Sequence, residues 1–167
     1  MPKLISGSTG NIPKRKRSVK NIRLFIHENV LNCMIKHADE GDMNEIMGLM
    51  IGKVFQDDEG KYAIAERIAT SGLIADRVSV KFDQEDLSSL FDAIGDLQDD
   101  EVVTGWYHTH PGFGCFMSET DVKTHTGIFG GECGFAIVID PIRKEIKAFD
   151  STPEDPQETM FIVIEDD

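Results

Sequence analysis

Residues 45–55 read EIMGLMIGKVF, an apolar run that constrains the fold more than any other segment of this chain. A run of this length without polar alternation is typical of a strand buried in the interior of a sheet. The turn sequence DDEG follows at residues 57–60, and residues 62–69 predict a second strand that pairs with the first as a hairpin. The chain therefore needs further elements to cover this hairpin.

The other segments predict helices and strands around the hairpin. Apolar residues at helical spacing predict helices over residues 28–39 and 83–97, and a third helix begins at Ser118. Further strands are predicted over residues 19–26, 102–108, 135–139, 144–149 and 161–164. Because strands and helices mix without strict alternation, we expect an α/β (α+β) architecture, with a single mixed β-sheet flanked by helices.

The 167 residues suffice for one domain. Residues 1–18 are rich in Ser, Gly, Pro and basic side chains and show no periodicity, so we expect a disordered basic tail there. Residues 19–167 are expected to form the folded domain.

Charge and composition exclude several classes of protein. The net charge is −13, and the six basic residues among the first 20 leave a net charge of −19 on the remaining 147. A body this acidic repels phosphate backbones, so we expect no nucleic-acid partner. No apolar run reaches the roughly 18 residues of a membrane span, and we expect no membrane partner. Three cysteines and the lack of a secretion signal predict a reduced, cytoplasmic protein.

The segment from His108 to Asp121, HTHPGFGCFMSETD, gathers two imidazoles, a hydroxyl and a carboxylate. Side chains at positions i and i+2 of a strand project from the same face, so His108 and His110 can bind one ion. The proline that follows ends the strand, and two glycines permit a turn back over the strand end. Ser118 then suits a helix N-cap, which places Asp121 on the first helical turn.

Two histidines from a strand and one aspartate from a helix can converge as three ligands of a metal ion. Three protein ligands and a water molecule are the pattern of a catalytic zinc site. We therefore predict one Zn²⁺ ion with a bound water, whose pKa zinc lowers to about 7. A base must take the water proton and pass it to the leaving group, and Glu45 is the candidate.

Other interpretations of these residues stay open. Two histidines and one carboxylate also describe a non-haem iron site. Ser118 and Asp121 also fit a simple capping box. A zinc deaminase would need H-x-E and P-C-x-x-C, and the sequence has neither motif. His27, His37 and His125 have no second ligand at a suitable spacing and are expected to be structural or exposed.

The pattern H-[ST]-H-P-x6-S-x-x-D at His108 to Asp121, with EIMGLMIG at residues 45–52, resembles the JAMM (MPN-plus) zinc metalloproteases. Within that family the likeness is to the branch of the deubiquitinating subunit of the proteasome lid. Residues 138–142, VIDPI, also resemble the strand and turn that follow the family's active site. The likeness covers about residues 20–150. Thr109 stands where family members commonly have serine, and Phe116-Met117 occupies the place of a common tryptophan.

This resemblance implies a single MPN domain with a cytidine-deaminase-like architecture. It implies zinc ligation by His108, His110 and Asp121, a general base at Glu45 and an oxyanion-stabilising hydroxyl at Ser118.

Candidate substrate contacts lie on and around the turn. The resemblance places Gly114 and Cys115 in the turn near the scissile bond, without a nucleophilic role for the thiol. Trp106, on the strand face of the two histidines, is either core or the floor of a groove. Phe113 and Phe116 flank the turn and are either core residues or substrate contacts.

The implied activity is that of a zinc-dependent isopeptidase, a deubiquitinase that cuts between the C-terminal glycine of ubiquitin or a ubiquitin-like modifier and a lysine. Residues 71–82 are expected to close over the extended tail as a hairpin.

The alternatives to a deubiquitinase are a non-catalytic MPN scaffold and a peptidase that processes sulfur-carrier-like modifiers. The proteasome is a candidate partner. Because the lid subunit has a long C-terminal helical extension and this chain ends soon after its last predicted strand, we expect a stand-alone or archaeal-type enzyme.

Overall fold

A computed structural model describes residues 22–70, 97–129, 134–150 and 156–166 of the chain. The predicted tail over residues 1–18 and nearly all of the predicted loop and helix over residues 71–97 lie outside the described residues. The described strands are β1 (Leu24–His27), β2 (Met47–Asp57), β3 (Gly60–Ala69), β4 (Val102–Thr109), β5 (Phe135–Asp140), β6 (Glu145–Asp150), β7 (Glu158–Thr159) and β8 (Phe161–Ile164). The described helices are α1 (Glu28–Glu40) and α2 (Glu119–Phe129).

These strands form one mixed sheet in the order β7-β6-β5-β4-β2-β3-β1-β8. β2 and β3 pair antiparallel as the predicted hairpin, and β2 also pairs antiparallel with β4. β5 runs parallel to β4, and β1 runs parallel to both β3 and β8. The predicted single mixed sheet with flanking helices is therefore confirmed.

The first six residues of the central strand β2 are buried on both faces, as its apolar sequence predicts, whereas its second half becomes exposed. On one face Met50 packs in a core cluster with Val30 and Met34 of α1. On the other face Leu49 packs in a second cluster with Phe129 of α2. Burying a side chain of this size contributes about 1.5–3 kcal/mol, so the two clusters hold a helix on each face of the sheet.

Helix α1 begins without a cap from the residue that precedes it, because the His27 side chain makes no cap hydrogen bond. Asp166, near the C-terminus, accepts the backbone N–H of Asn29 at 2.8 Å and pairs with the His27 ring at 3.1 Å. A carboxylate at a helix N-terminus satisfies unpaired amides and favours the helix dipole. The end of the chain therefore secures α1.

The strand directions bring the predicted site residues to one edge of the sheet. Because β4 and β5 are parallel, their carboxyl ends lie side by side, and His108 pairs with Val138. Because β2 is antiparallel to β4, its first residue Met47 pairs with His108 as well. Glu45, two residues before Met47, therefore reaches the same edge as the histidines.

Candidate metal centre

His108 lies near the end of β4 and His110 directly follows that strand. The two residues are 1% and 5% exposed. The Nε2 atoms of both rings face the same oxygen, Oδ2 of Asp121, at 3.0 Å and 3.1 Å. The possible ligand atoms of the three residues all lie within 4.8 Å of one another. The structure therefore brings together the three residues predicted as metal ligands.

Asp121 is held in place by the start of helix α2. Its backbone N–H donates to Ser118 Oγ at 3.1 Å, and its Oδ2 accepts the backbone N–H of Ser118 at 2.9 Å. This reciprocal pair is a capping box with aspartate in place of the usual glutamate. The capping interpretation is therefore compatible with the predicted ligand role, because the cap orients the carboxylate towards the histidines.

The donor set fits a metal ion such as zinc. Among the residues that the structure describes, neither ring nitrogen of His108 has a hydrogen-bond partner, although the side chain is buried. Its Nε2 approaches Asp121 Oδ2 without hydrogen-bond geometry. Leaving a buried polar atom unsatisfied costs about 1–3 kcal/mol, and a cation bound to Nε2 would remove that cost for this atom. Two imidazole nitrogens and a carboxylate oxygen are among the ligands that Zn²⁺ takes in proteins.

The protonation states of these groups also suit metal binding. Complete burial lowers the pKa of His108, although Asp121 opposes this, so its imidazole stays neutral. Burial also acts to lower the pKa of His110, but the hydrogen bond and charge of Asp121, helped by Glu45, outweigh it and raise that pKa. Burial acts to raise the pKa of Asp121, but its contacts with both histidines lower it overall. The aspartate is therefore ionised at neutral pH, which metal ligation requires.

Glu45 is half-buried and lies near enough to His110 for its charge to raise the pKa of that imidazole. The backbone beside it is anchored to β4. The N–H of Ile46 donates to Thr109 Oγ1 at 2.9 Å, and the N–H of Thr109 donates to the Ile46 carbonyl at 3.1 Å. The predicted base is therefore placed at the same edge as the predicted ligands.

The turn after His110 is held by β5. The N–H of His110 donates to the Ile139 carbonyl at 2.9 Å. Gly112 and Gly114 adopt φ angles of +81° and +87°, and both donate their N–H groups to the carboxylate of Asp140 at 2.8 Å and 2.7 Å. Asp140 has no role among the sequence-based predictions. The signal was present in the sequence, since an Asp-Pro pair after a buried strand is typical of a side chain that bonds a turn backbone.

The predicted substrate contacts divide between surface and core. Phe113 and Phe116 are 59% and 48% exposed beside the turn, whereas Gly114 is buried. Cys115 is partly buried, its thiol donates to the Val138 carbonyl at 3.2 Å, and burial raises its pKa. A thiol in this environment is a poor nucleophile.

Trp106 is fully buried next to His108. Its ring stacks on that of His108 with centroids 4.3 Å apart, and its Nε1–H donates to His125 Nδ1 at 2.9 Å. Burial lowers the pKa of His125 to about 4. Trp106 therefore occupies the core position of its two predicted alternatives, and His125 makes a structural contact, which is one of the two alternatives predicted for it.

The other two histidines also make structural contacts. The His37 ring lies 2.7 Å from the hydroxyl of Tyr107, and His27 pairs with Asp166.

Within the described ranges, no helix has both the length and the apolar character needed to cross a membrane.

Most of the chain matches a known protein family. Residues 17–128 match the protein family described as "JAB1/Mov34/MPN/PAD-1 ubiquitin protease". Curated relatives include the 26S proteasome non-ATPase regulatory subunit 14 of Drosophila melanogaster, which is 34% identical over 72% of this chain and 39% of its own length. The 26S proteasome regulatory subunit RPN11 of Encephalitozoon cuniculi is 36% identical over 84% of this chain and 47% of its own length. The chain thus matches less than half the length of these relatives.

Two solved structures share the fold. A solution structure of a protein from Desulfitobacterium hafniense superimposes with a TM-score of 0.60 at 20% identity, over 86% of this chain and 94% of that chain. A crystal structure of a JAB1/MPN domain protein from Archaeoglobus fulgidus gives a TM-score of 0.53 at 16% identity, over 83% of this chain and 97% of that chain.

Proposed function

The chain belongs to the JAB1/Mov34/MPN/PAD-1 ubiquitin protease family, and from this premise we propose that it is a zinc-dependent isopeptidase. Its substrate would be ubiquitin or a ubiquitin-like modifier whose C-terminal glycine is joined to a lysine. One observation carries the proposal: the Nε2 atoms of His108 and His110 face the same oxygen of Asp121 in a buried cluster.

His108, His110 and Asp121 would hold the zinc ion. A zinc ion bound there would supply Lewis-acid polarisation of the scissile carbonyl and a lowered pKa for water. Burial favours this chemistry, because charges act more strongly where water is excluded.

Glu45 is the proposed general base. Its carboxylate would take one proton from the attacking water and deliver it to the lysine Nζ as the C–N bond breaks. The second water proton would then pass from the new carboxyl group to the amine, so that hydrolysis yields a carboxylate and a lysine ammonium. Its place beside His110, next to a backbone anchored on Thr109, supports this role.

Ser118 is the proposed oxyanion stabiliser. Its Oγ accepts the N–H of Asp121, and a hydroxyl that accepts one hydrogen bond can still donate its own proton. A donor fixed in place before the reaction stabilises the charge that develops on the carbonyl oxygen. The capping contact with Asp121 supplies that fixed position.

Phe113 and Phe116 are the proposed substrate contacts, together with the turn at Gly114 and Cys115. Both rings are exposed and flank the turn that carries His110. Partly exposed aromatic rings bind the apolar groups of extended peptides well.

The domain, partners and location are also proposals. We place the catalytic domain within residues 19–167, in the cytoplasm. The names of the curated relatives make the proteasome a candidate partner. A sulfur-carrier-like modifier remains the alternative substrate of the same site.

The test compares wild type, Glu45→Gln and His110→Ala on lysine-linked diubiquitin and on a lysine-linked sulfur-carrier-like modifier. Cleavage and bound zinc are measured together. Glu45→Gln should keep zinc and lose cleavage by about 10²–10⁴-fold, because the ligands remain and the base is lost. His110→Ala should lose both zinc and cleavage.

Two results would contradict the proposal. One is zinc-loaded wild type that cleaves neither substrate, and the other is Glu45→Gln that cleaves as fast as wild type. Cleavage of the sulfur-carrier-like conjugate alone would assign the alternative substrate.

A further inference from the structure

Asp140, the last residue of β5, is fully buried and accepts four backbone hydrogen bonds. Oδ1 accepts the N–H groups of Gly112 at 2.8 Å, Ile142 at 3.0 Å and Arg143 at 3.0 Å. Oδ2 accepts the N–H of Gly114 at 2.7 Å. One side chain therefore joins the turn after β4 to the turn after β5.

The surroundings of Asp140 are built for a carboxylate. Burial acts to raise its pKa, but the four backbone N–H groups outweigh burial and lower it, so the group is ionised. Gly112 and Gly114 have positive φ angles, which L side chains rarely adopt. Backbone N–H groups in such turns form a concave site for an anion, and here the anion is a side chain of the chain itself.

The contact with Gly114 leads directly to a proposed metal ligand. The Gly114 carbonyl lies 3.3 Å from Nδ1 of His110, whose Nε2 faces Asp121. The N–H of His110 donates to Ile139, the neighbour of Asp140 in the chain. A histidine that binds a metal through one nitrogen relies on an acceptor for the N–H of the other. In His110 that acceptor is a backbone carbonyl, which no substitution can remove.

We propose that Asp140 is a positioning residue for His110. Its Oδ2 holds Gly114 so that the Gly114 carbonyl accepts the Nδ1–H of His110 and directs Nε2 towards Asp121. This inference rests on the metal centre of the proposed function, although it does not depend on which substrate is cleaved. Zinc affinity should therefore depend on the second carboxylate oxygen of Asp140.

The variant that alters this oxygen is Asp140→Asn, which also removes its 3.7 Å pairing with the exposed Nε of Arg143. The asparagine oxygen can still accept from the three donors that face Oδ1, whereas its NH₂ group would face the N–H of Gly114 and could not accept from it. The matched control is Asp57→Asn, which alters a carboxylate that accepts a backbone N–H in the β2–β3 turn. Zinc affinity is measured by competition with a chromogenic chelator, alongside thermal unfolding of the zinc-loaded and chelator-treated proteins.

Asp140→Asn should bind zinc about tenfold more weakly than wild type, at the lower end of the loss expected when support of a metal-bound histidine is removed. Asp57→Asn should bind zinc as wild type does. Cleavage by Asp140→Asn should recover when zinc is raised to saturation, which a general loss of structure would not allow.

Gly114→Ala supplies an independent second variant, because its φ of +87° disfavours a side chain. It should also weaken zinc binding, and combination with Asp140→Asn should give less than the sum of the two effects because both act through one contact. If Asp140→Asn does not fold, Gly114→Ala alone decides the proposal.

Zinc affinity within twofold of wild type in folded Asp140→Asn would overturn the proposal, as would unchanged zinc affinity in Gly114→Ala. If wild type binds zinc and cleaves its substrate while these variants match it, only this inference fails. If wild type binds no zinc, the proposed metal centre fails and this inference fails with it.

Discussion

Thr109 Oγ1 accepts the backbone N–H of Ile46 at 2.9 Å, across 63 positions of the chain. The N–H of Thr109 donates back to the Ile46 carbonyl at 3.1 Å. Thr109 stands between the two histidines, and Ile46 follows Glu45. Thr109, which lies between the two proposed histidine ligands, is therefore hydrogen-bonded to the residue that follows the proposed base.

Replacing Thr109 tests this link. Thr109→Val keeps the shape of the side chain but leaves the buried N–H of Ile46 without its acceptor, which costs about 1–3 kcal/mol of folding free energy. Misplacement of Glu45 should lower kcat by about tenfold or more, since small displacements of catalytic groups cost up to about 100-fold. Zinc affinity should change little, because the substitution removes none of the three proposed ligands.

Thr109→Ser is the matched control, because it keeps the hydroxyl acceptor. Steady-state kinetics and zinc titration of both variants provide the measurement. A Thr109→Val protein with wild-type kcat would show that the Ile46 contact does not position Glu45.

Phe113 offers a test of the substrate surface. Its ring is 59% exposed, so Phe113→Ala should leave the unfolding midpoint and zinc affinity unchanged. Loss of about 1 kcal/mol of apolar contact should raise KM about fivefold with little change in kcat. Phe55→Ala removes a ring that is 40% exposed at the far end of β2 and should leave KM unchanged. An equal KM for both variants would exclude Phe113 from substrate binding.

The buried His125 predicts a loss of stability in acid. Burial lowers its pKa to about 4, against about 6.5 in an unfolded chain, although the charge of Asp150 opposes this. The unfolded chain therefore binds the proton more readily. This group has no effect above about pH 6.5 and destabilises the fold as the pH falls towards 4.

From pH 7.5 to pH 5 the free energy of unfolding should fall by about 2 kcal/mol through this residue. His125→Asn keeps an acceptor for the Trp106 N–H and removes the titrating group. Between pH 7.5 and pH 5 the free energy of unfolding of this variant should therefore fall by about 2 kcal/mol less than that of wild type. Urea unfolding at both pH values, with the same chelator present, measures the difference. If the free energy of unfolding fell by the same amount in wild type and His125→Asn, the role of His125 would be refuted.

Local patterns predicted the elements that local forces determine. The hairpin of β2 and β3 and helix α1 agree with the predictions to within about two residues, because long apolar runs and helical spacing specify them. Strand β7 was not predicted. It has two residues and owes its strand conformation to pairing with Ala148 and Phe149, which no local pattern reveals.

The site shows the same contrast between features that short-range patterns specify and features that depend on contacts between distant parts of the chain. The approach of His108, His110 and Asp121 follows from strand alternation and helix capping, both of which are short-range. The role of Asp140 depends on the parallel register of β4 and β5, which brings it to Gly112 and Gly114 across 28 and 26 positions. The burial of Trp106 depends on how α2 packs against the sheet, and sequence spacing alone left it open.

Calorimetric titration of wild type and Asp121→Asn with zinc tests the metal centre most directly. Asparagine at this position can still accept the N–H of Ser118, so the helix cap is kept while the charged ligand is lost. We expect wild type to bind one zinc ion per chain and Asp121→Asn to bind it at least about 100-fold more weakly. Wild type without saturable zinc binding, or Asp121→Asn with wild-type affinity, would contradict the assignment of His108, His110 and Asp121 as a metal centre.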